Sequence, residues 1–153
     1  MTRALAVAVV AAGLALAGCG GAQSPGSALS SWTSSSQLAN AAGTLLNDSG
    51  AVRDAIHQHR AASVVKTVCA ELLLDAQGAN NELPTPDAQL TGLLSGAYDQ
   101  FAKAASRCYA ASGTPVALSR ADAIRVGALG LLVAAVLRAE AVLGRPLHVR
   151  GIP

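Results

Sequence analysis

The chain has 153 residues, a formal net charge of +2 and an aromatic content of only 3%. A chain of this length suits one domain with a modest core. Its near-neutral charge lacks the basic surface that binds nucleic acid, and its few aromatic residues disfavour base-stacking or sugar-binding platforms. We therefore expect no nucleic-acid partner.

The first residues have the layout of a secretory signal peptide. Arg3 supplies a positive charge, and an apolar run follows from Ala4 to Leu16. This run of about 13 residues is too short to cross the hydrocarbon core as a helix, which disfavours a transmembrane anchor. An ordinary secretory signal with an incidental cysteine is an alternative.

The apolar run ends in Leu16-Ala17-Gly18-Cys19. This tetrapeptide resembles the lipobox of bacterial lipoproteins. The resemblance implies cleavage after residue 18, with residues 1–18 as the signal peptide, and acylation of the Cys19 sulfur. It also implies an extracytoplasmic location on the cell membrane. Because each buried CH₂ contributes about 0.8 kcal/mol, two or more acyl chains would anchor the chain stably.

Residues 20–36 are uncharged and rich in Gly, Ser and Pro. Such a segment buries too little apolar surface to fold, so residues 19–36 are predicted to be a lipidated, flexible tether. As a coil it would span roughly 20–25 Å and hold the domain clear of the headgroups. Trp32 is the exception in this segment, and the sequence leaves open whether it docks on the domain or lies at the membrane interface.

Beyond the tether, apolar residues recur at helical spacing, and residues 37–146 are predicted to form an all-α bundle of about four helices. The first helix is expected to end at the turn-forming residues Asn47–Gly50. A second helix is expected to begin near there and to continue until Pro84 ends it, with a break around His57–Ala61.

Two further helices complete the predicted bundle. Thr85-Pro86-Asp87 favours a helix start, with Thr85 as the cap, and Ser119 is predicted to cap the last helix, which ends at Gly144. Residues 126–137 carry no polar side chain, which predicts a central helix that is covered nearly all round. A face that docks a partner, a second copy or an apolar ligand is the alternative. Residues 147–153 are predicted to be a loose tail.

Cys69 and Cys108 are the cysteines left besides the lipobox cysteine. Thiols outside the cytoplasm normally pair, so a disulfide is predicted; two separate buried thiols are the alternative. No third ligand lies near enough in sequence to suggest a zinc site. In a tight hairpin at Pro84 the cysteines would be about 8 residues out of register, roughly 12 Å along a helix. The bond therefore requires residues 82–85 to run alongside the helices.

Residues typical of catalysis are sparse. His57 and His59 would lie on opposite faces of a helix, and His148 is in the predicted tail. Asp54 could pair with His57, but no nucleophile stands at a motif spacing. We therefore expect no catalytic residues, no cofactor and no metal site.

The Ala-, Gly- and Arg-rich composition, together with the lipobox, resembles the small, uncharacterised lipoproteins of actinobacteria, including mycobacteria. Val68-Cys69, Leu83-Pro84-Thr85-Pro86 and Cys108-Tyr109 carry the rest of the resemblance. The resemblance implies a helical extracytoplasmic domain and no established activity.

Three functional hypotheses follow. The first is a non-enzymatic envelope lipoprotein whose helical bundle binds another envelope protein. The second is a carrier for a small apolar ligand or lipid, with a pocket beside residues 126–137, where Gly127 and Gly130 would leave room. The third is an enzyme, which would need a concave site that holds His57, Asp54 and a third polar group.

Overall fold

A computed structural model describes residues 24–111 and 113–151. Five α-helices follow one another in this part of the chain, and it contains no strand. They are α1 (Pro25–Ser35), α2 (Leu38–His57), α3 (Ala62–Asn80), α4 (Ala88–Ala110) and α5 (Pro115–Leu143). The all-α prediction is confirmed, with five helices instead of four. The predicted signal peptide and Cys19 lie outside the described residues.

Helix α4 forms the centre of the bundle, with α3 and α5 packed along it. Helical spacing predicts an apolar seam on this helix at Leu90, Leu94, Ala97, Phe101, Ala104, Cys108 and Ala111, and all of these except Ala111 are buried. Residues at alternating steps of three and four share one face of a helix, which explains why the pattern predicted this seam. Helix α2 packs on α3, and α1 packs on α5.

The segment 25–36, predicted to be part of a flexible tether, is instead helical and belongs to the domain. Ser24 caps α1 by accepting a hydrogen bond from the Ser27 amide at 3.2 Å, and Pro25 occupies the first turn. Leu29 is fully buried in the core. The Trp32 indole Nε1 donates to the Glu82 carbonyl at 3.1 Å, so this side chain docks on the domain.

Helix α2 is continuous through Asn47–Gly50, where a turn was predicted. Ser49 is buried there against a neighbouring helix, and such tertiary contacts override a weak local turn preference. The predicted break at residues 57–61 is confirmed, since α2 ends at His57 and α3 begins at Ala62.

Two predicted helix starts are displaced by a few residues. Asp87, not Thr85, caps α4, and its Oδ1 accepts a hydrogen bond from the Leu90 amide at 2.7 Å. Helix α5 begins at Pro115, and Ser119 donates its hydroxyl to the Pro115 carbonyl at 3.1 Å. Proline at a first helical position explains the earlier start of α5.

The end of the chain is only partly as predicted. Gly144 ends α5 in the left-handed conformation, with φ of 66°, as expected of a helix-terminating glycine. The following residues do not form a loose tail. The Leu147 amide donates to Glu140 Oε1 at 2.8 Å, and Val149 is only 5% exposed. The domain therefore extends from α1 through residues 145–151, the C-terminal segment, and so passes the predicted limits of residues 37 and 146.

Helix α5 is not covered all round. One face packs against the bundle through Ala128, Leu132 and Ala135, but Val126 and Leu137 on another face are 54% and 57% exposed. In the described part of the chain, α5 is the one helix long and apolar enough to cross a membrane by length and composition. A core helix of a soluble domain passes the same test.

The Cys69 and Cys108 sulfur atoms lie at bonding distance, with 6.0 Å between the two Cα atoms. The pair joins α3 to α4, and both residues are buried. The connection between these helices, residues 81–87, is non-helical and long enough to shift α4 along α3, as the pairing requires. The prediction that the fold brings these cysteines together is confirmed.

Candidate functional site

A groove of about 890 Å³ lies between α2, α5 and the C-terminal segment. Its lining is a mixture of polar and apolar side chains, with Leu46 and Leu129 among the apolar ones, and it contains no acidic residue. The charged and polar residues that line it are Asn40, Thr44, Asn47, Ser49, Arg53, Arg125, His148 and Arg150. A concave site of this volume lies within the range of small-molecule binding sites.

Arg125 forms the buried base of the groove and is only 5% exposed. Its Nε donates to Asp122 Oδ1 at 2.7 Å, and its Nη1 donates to the Ser49 hydroxyl at 2.9 Å. A buried charge is costly unless it is paired and hydrogen-bonded, and these two partners supply that compensation. They also fix the orientation of the guanidinium group.

Two exposed arginines extend the positive charge toward the rim. Arg53, one turn beyond Ser49 on α2, pairs with Asp54 at 2.8 Å. Arg150 lies on the C-terminal segment. Neither Asp54 nor Asp122 lines the groove. The carboxylates that pair with Arg53 and Arg125 are thus not among the lining residues, although each contacts its arginine directly.

Two glycines of α2, Gly43 and Gly50, line the floor of the groove. At Gly43 a Cβ atom would lie 3.6 Å from the Arg150 Cβ, so the C-terminal segment crosses α2 in van der Waals contact at this point. At Gly50 a Cβ atom would meet nothing within 4 Å. The space beside Gly50 is open to a ligand or to an engineered side chain.

The predicted histidine pairing does not form. Asp54 contacts Arg53, and the His57 Nε2 instead faces Asp122 Oδ2 at 3.7 Å from an imidazole that is 64% exposed. His59 lies beyond the end of α2 in a left-handed conformation, with φ of 50°. His148, which was predicted to lie in a loose tail, lines the groove.

The two glycines predicted to leave room beside residues 126–137 differ, since a Cβ atom at Gly130 would meet nothing within 4 Å and one at Gly127 would be crowded. A Cβ atom at Gly127 would lie 3.0 Å from Gln100 Oε1, and one at Gly96 would lie 3.4 Å from the Leu131 side chain. Glycines at these two positions thus let α4 and α5 approach each other closely. A smaller cavity of about 230 Å³ lies instead near the α2–α3 connection, beside Ile56 and Leu118.

A partly exposed ion pair that the sequence analysis missed joins the start of α4 to α5. Arg138 donates from Nη2 to Asp87 Oδ2 at 2.6 Å and from Nε to Asp87 Oδ1 at 3.2 Å. The hydrogen bond from Arg138 and that from the Leu90 amide hold the pKa of the Asp87 carboxyl below its usual value. The partners are 51 residues apart, so local spacing offered no signal.

Asp48 faces the other side of α2, away from the groove. The pKa of Asp48 is raised from 3.8 to about 6. Burial is the largest cause, and the neighbouring Asp75 carboxyl group adds to it through hydrogen bonding and charge repulsion. Its Oδ2 is buried without a hydrogen-bond partner among the described residues. The described residues contain no group of three or more His, Cys, Asp or Glu that could hold a metal ion.

Asp48→Asn should stabilise the domain at neutral pH. The folded-state pKa of Asp48 lies above its unfolded value, so protonation favours folding, and this contribution is lost as pH rises from about 4 to about 6. The wild-type free energy of unfolding should therefore fall across that range relative to the variant. Urea denaturation at a series of pH values measures it, with the exposed Asp99→Asn as control. A constant difference at every pH would contradict the assignment.

No protein-family model, curated protein or solved structure matches this chain. Its function therefore has to be inferred from its own residues. Those residues bring together one polar, basic groove and one disulfide-compatible cysteine pair.

Proposed function

We propose that this chain is a non-enzymatic cell-envelope lipoprotein, anchored on the extracytoplasmic face by acyl chains on Cys19, and that its helical domain binds another envelope protein. The observation that carries the proposal is Leu16-Ala17-Gly18-Cys19 at the end of the apolar run. The positive charge at Arg3, the apolar run and the small residues before Cys19 support a cleaved leader and a lipidated first residue.

The cysteine pair supports an extracytoplasmic location. Cys69 and Cys108 lie at bonding distance between two core helices. Disulfides form and persist in oxidising compartments and are rare in the cytosol. A small domain whose chain leaves the cytoplasm gains from such a cross-link, because its hydrophobic core is modest.

The start of α1 sets how far the domain can stand from the membrane. Only residues 20–24 separate Cys19 from Pro25, the first residue of α1. Fully extended, this link spans roughly 20 Å, so the domain lies close to the lipid headgroups. A partner in the same membrane is then within reach, which favours another envelope protein as the binding partner.

The use of the polar groups supports a non-enzymatic role. Asp54 is engaged by Arg53, and Asp122 is engaged by Arg125. The alternative of a carrier for an apolar ligand has less support, because the space beside Gly127 is occupied by Gln100 and the larger cavity is lined by three arginines.

Fatty-acid labelling in the native host tests the anchor. Cells grown with an alkyne fatty acid should yield labelled wild-type protein and unlabelled Cys19→Ser. The control Arg107→Gln changes an exposed residue, keeps the lipobox and the cysteine pair, and should be labelled as the wild type is. An unlabelled wild type, or label retained by Cys19→Ser, would overturn the proposed anchor.

Crosslinking tests the partner. Mild crosslinking of intact cells should join the wild-type protein to the same membrane-associated partner in every repeat. The Cys19→Ser variant, which lacks the anchor, should lose most of this crosslink because the two proteins are no longer held in one plane. Repeated recovery of no partner would contradict the proposed binding role.

A further inference from the structure

We propose that the groove between α2, α5 and the C-terminal segment binds the phosphate group of a small polar molecule or lipid headgroup. The inference is independent of the anchor, because every lining residue lies within residues 39–151. It rests on the charge of the groove, the buried arginine at its base and its open floor.

The charge of the groove suits an anion. Arg53, Arg125 and Arg150 line it, and none of its lining residues is acidic. Asp54 and Asp122 pair with the first two arginines from outside the lining, whereas Arg150 forms no ion pair among the described residues. A concave surface lined by one sign of charge concentrates ions of the opposite sign. Arginine stays charged at any physiological pH, so this preference for anions does not depend on titration.

Arg125 lies at the base of the groove, where two hydrogen bonds hold its guanidinium group in place. Its Nε and Nη1 are hydrogen-bonded to Asp122 and Ser49. Among the described residues these bonds leave Nη2 and the second hydrogen of Nη1 without a partner. Arg125 is 5% exposed and its guanidinium is already oriented, so a ligand that meets it does not have to order it.

The other lining groups favour a phosphate carried on a larger polar molecule over a bare ion. Phosphate offers three strong acceptor oxygens, which suits a groove whose lining includes three arginines. A groove of about 890 Å³ has room for more than the phosphate itself. The side chains of Asn40, Thr44 and Asn47 supply hydrogen-bond donors and acceptors for the rest of the ligand.

Titration calorimetry tests the site on the mature chain, residues 19–153, with Cys19→Ser so that it is soluble without detergent. Glycerol 3-phosphate should bind and glycerol should not. Raising the salt concentration from about 50 to about 200 mM should weaken binding, because the interaction is electrostatic. No binding of any phosphate compound would overturn the proposal.

Matched variants locate the binding. Gly50→Glu places a carboxylate in the open floor and should abolish binding, whereas Gly92→Glu adds the same charge at an equally unobstructed position on α4 and should leave binding within twofold. Arg150→Gln should weaken binding about tenfold, and the exposed Arg107→Gln should not change it. Wild-type affinity in both Gly50→Glu and Arg150→Gln would overturn the site.

Short-chain lipids distinguish the two sources of the phosphate. Dihexanoyl phosphatidylglycerol that binds more tightly than glycerol 3-phosphate, and that loses affinity in Gly50→Glu, would assign the groove to a lipid headgroup. The opposite order, with the same dependence on Gly50, would assign it to a soluble phosphate ester. Binding of dihexanoyl phosphatidylglycerol that Gly50→Glu leaves unchanged would contradict both assignments.

Discussion

Replacing both Cys69 and Cys108 by alanine should lower the free energy of unfolding by about 4 kcal/mol. The two residues are 39 apart in sequence, and a cross-link that closes a loop of this length restricts the unfolded chain by that amount. Alanine is preferable to serine because both positions are buried and a hydroxyl group there would need a partner. Urea denaturation followed by circular dichroism gives the difference.

Reduction provides the matched control for the cysteine variant. Wild-type protein treated with a reductant should lose stability to a similar extent, and the variant should be insensitive to the reductant. A wild-type unfolding midpoint that does not move on reduction would show that the two thiols are not bonded. The core would then contain two separate buried thiols, the alternative that the sequence left open.

Leu29→Ala should destabilise the domain by about 2–5 kcal/mol, the range for removing a large side chain from a packed core. Leu29 belongs to α1 and is fully buried, although the composition around it predicted a flexible tether. The exposed Ser31→Ala on the same helix is the control and should be nearly neutral. Equal stability of the two variants would mean that α1 is not part of the folded domain.

The prediction that residues 19–36 form a flexible tether was wrong for α1, because average composition hides the contribution of single residues. Most residues of 20–36 are small or polar, yet Leu29 and Trp32 fix the helix to the bundle, and Ser24 caps it. The regular seam of α4 was predictable because its apolar positions repeat over six turns and each repeat adds to the same signal.

The groove could not be predicted from the sequence, because its parts come from three separate segments. Arg53 and Arg125 are brought together by the packing of α2 against α5, and Arg150 and His148 by the folded end of the chain. The one sequence signal was the position of Arg125, immediately before the polar-free run 126–137. A charge at the edge of an apolar helix face has to be exposed or paired, and here it is paired.

Phosphate binding by the groove and membrane anchoring through Cys19 can each be true without the other. Phosphate binding depends on residues that the folded domain contains, whereas the proposed membrane location depends on Cys19 alone. If both hold, the short link between Cys19 and α1 places the start of the domain that carries this groove within roughly 20 Å of the headgroups. Binding and location would then act together at the membrane surface.

The intact mass of the protein purified from its native host tests whether residues 1–18 are removed and Cys19 is acylated. The account predicts the mass of residues 19–153, lowered by the two hydrogens lost in the Cys69–Cys108 bond and raised by acyl groups that fragmentation maps to Cys19. A mass that still includes residues 1–18, or a first residue without acyl groups, would contradict it.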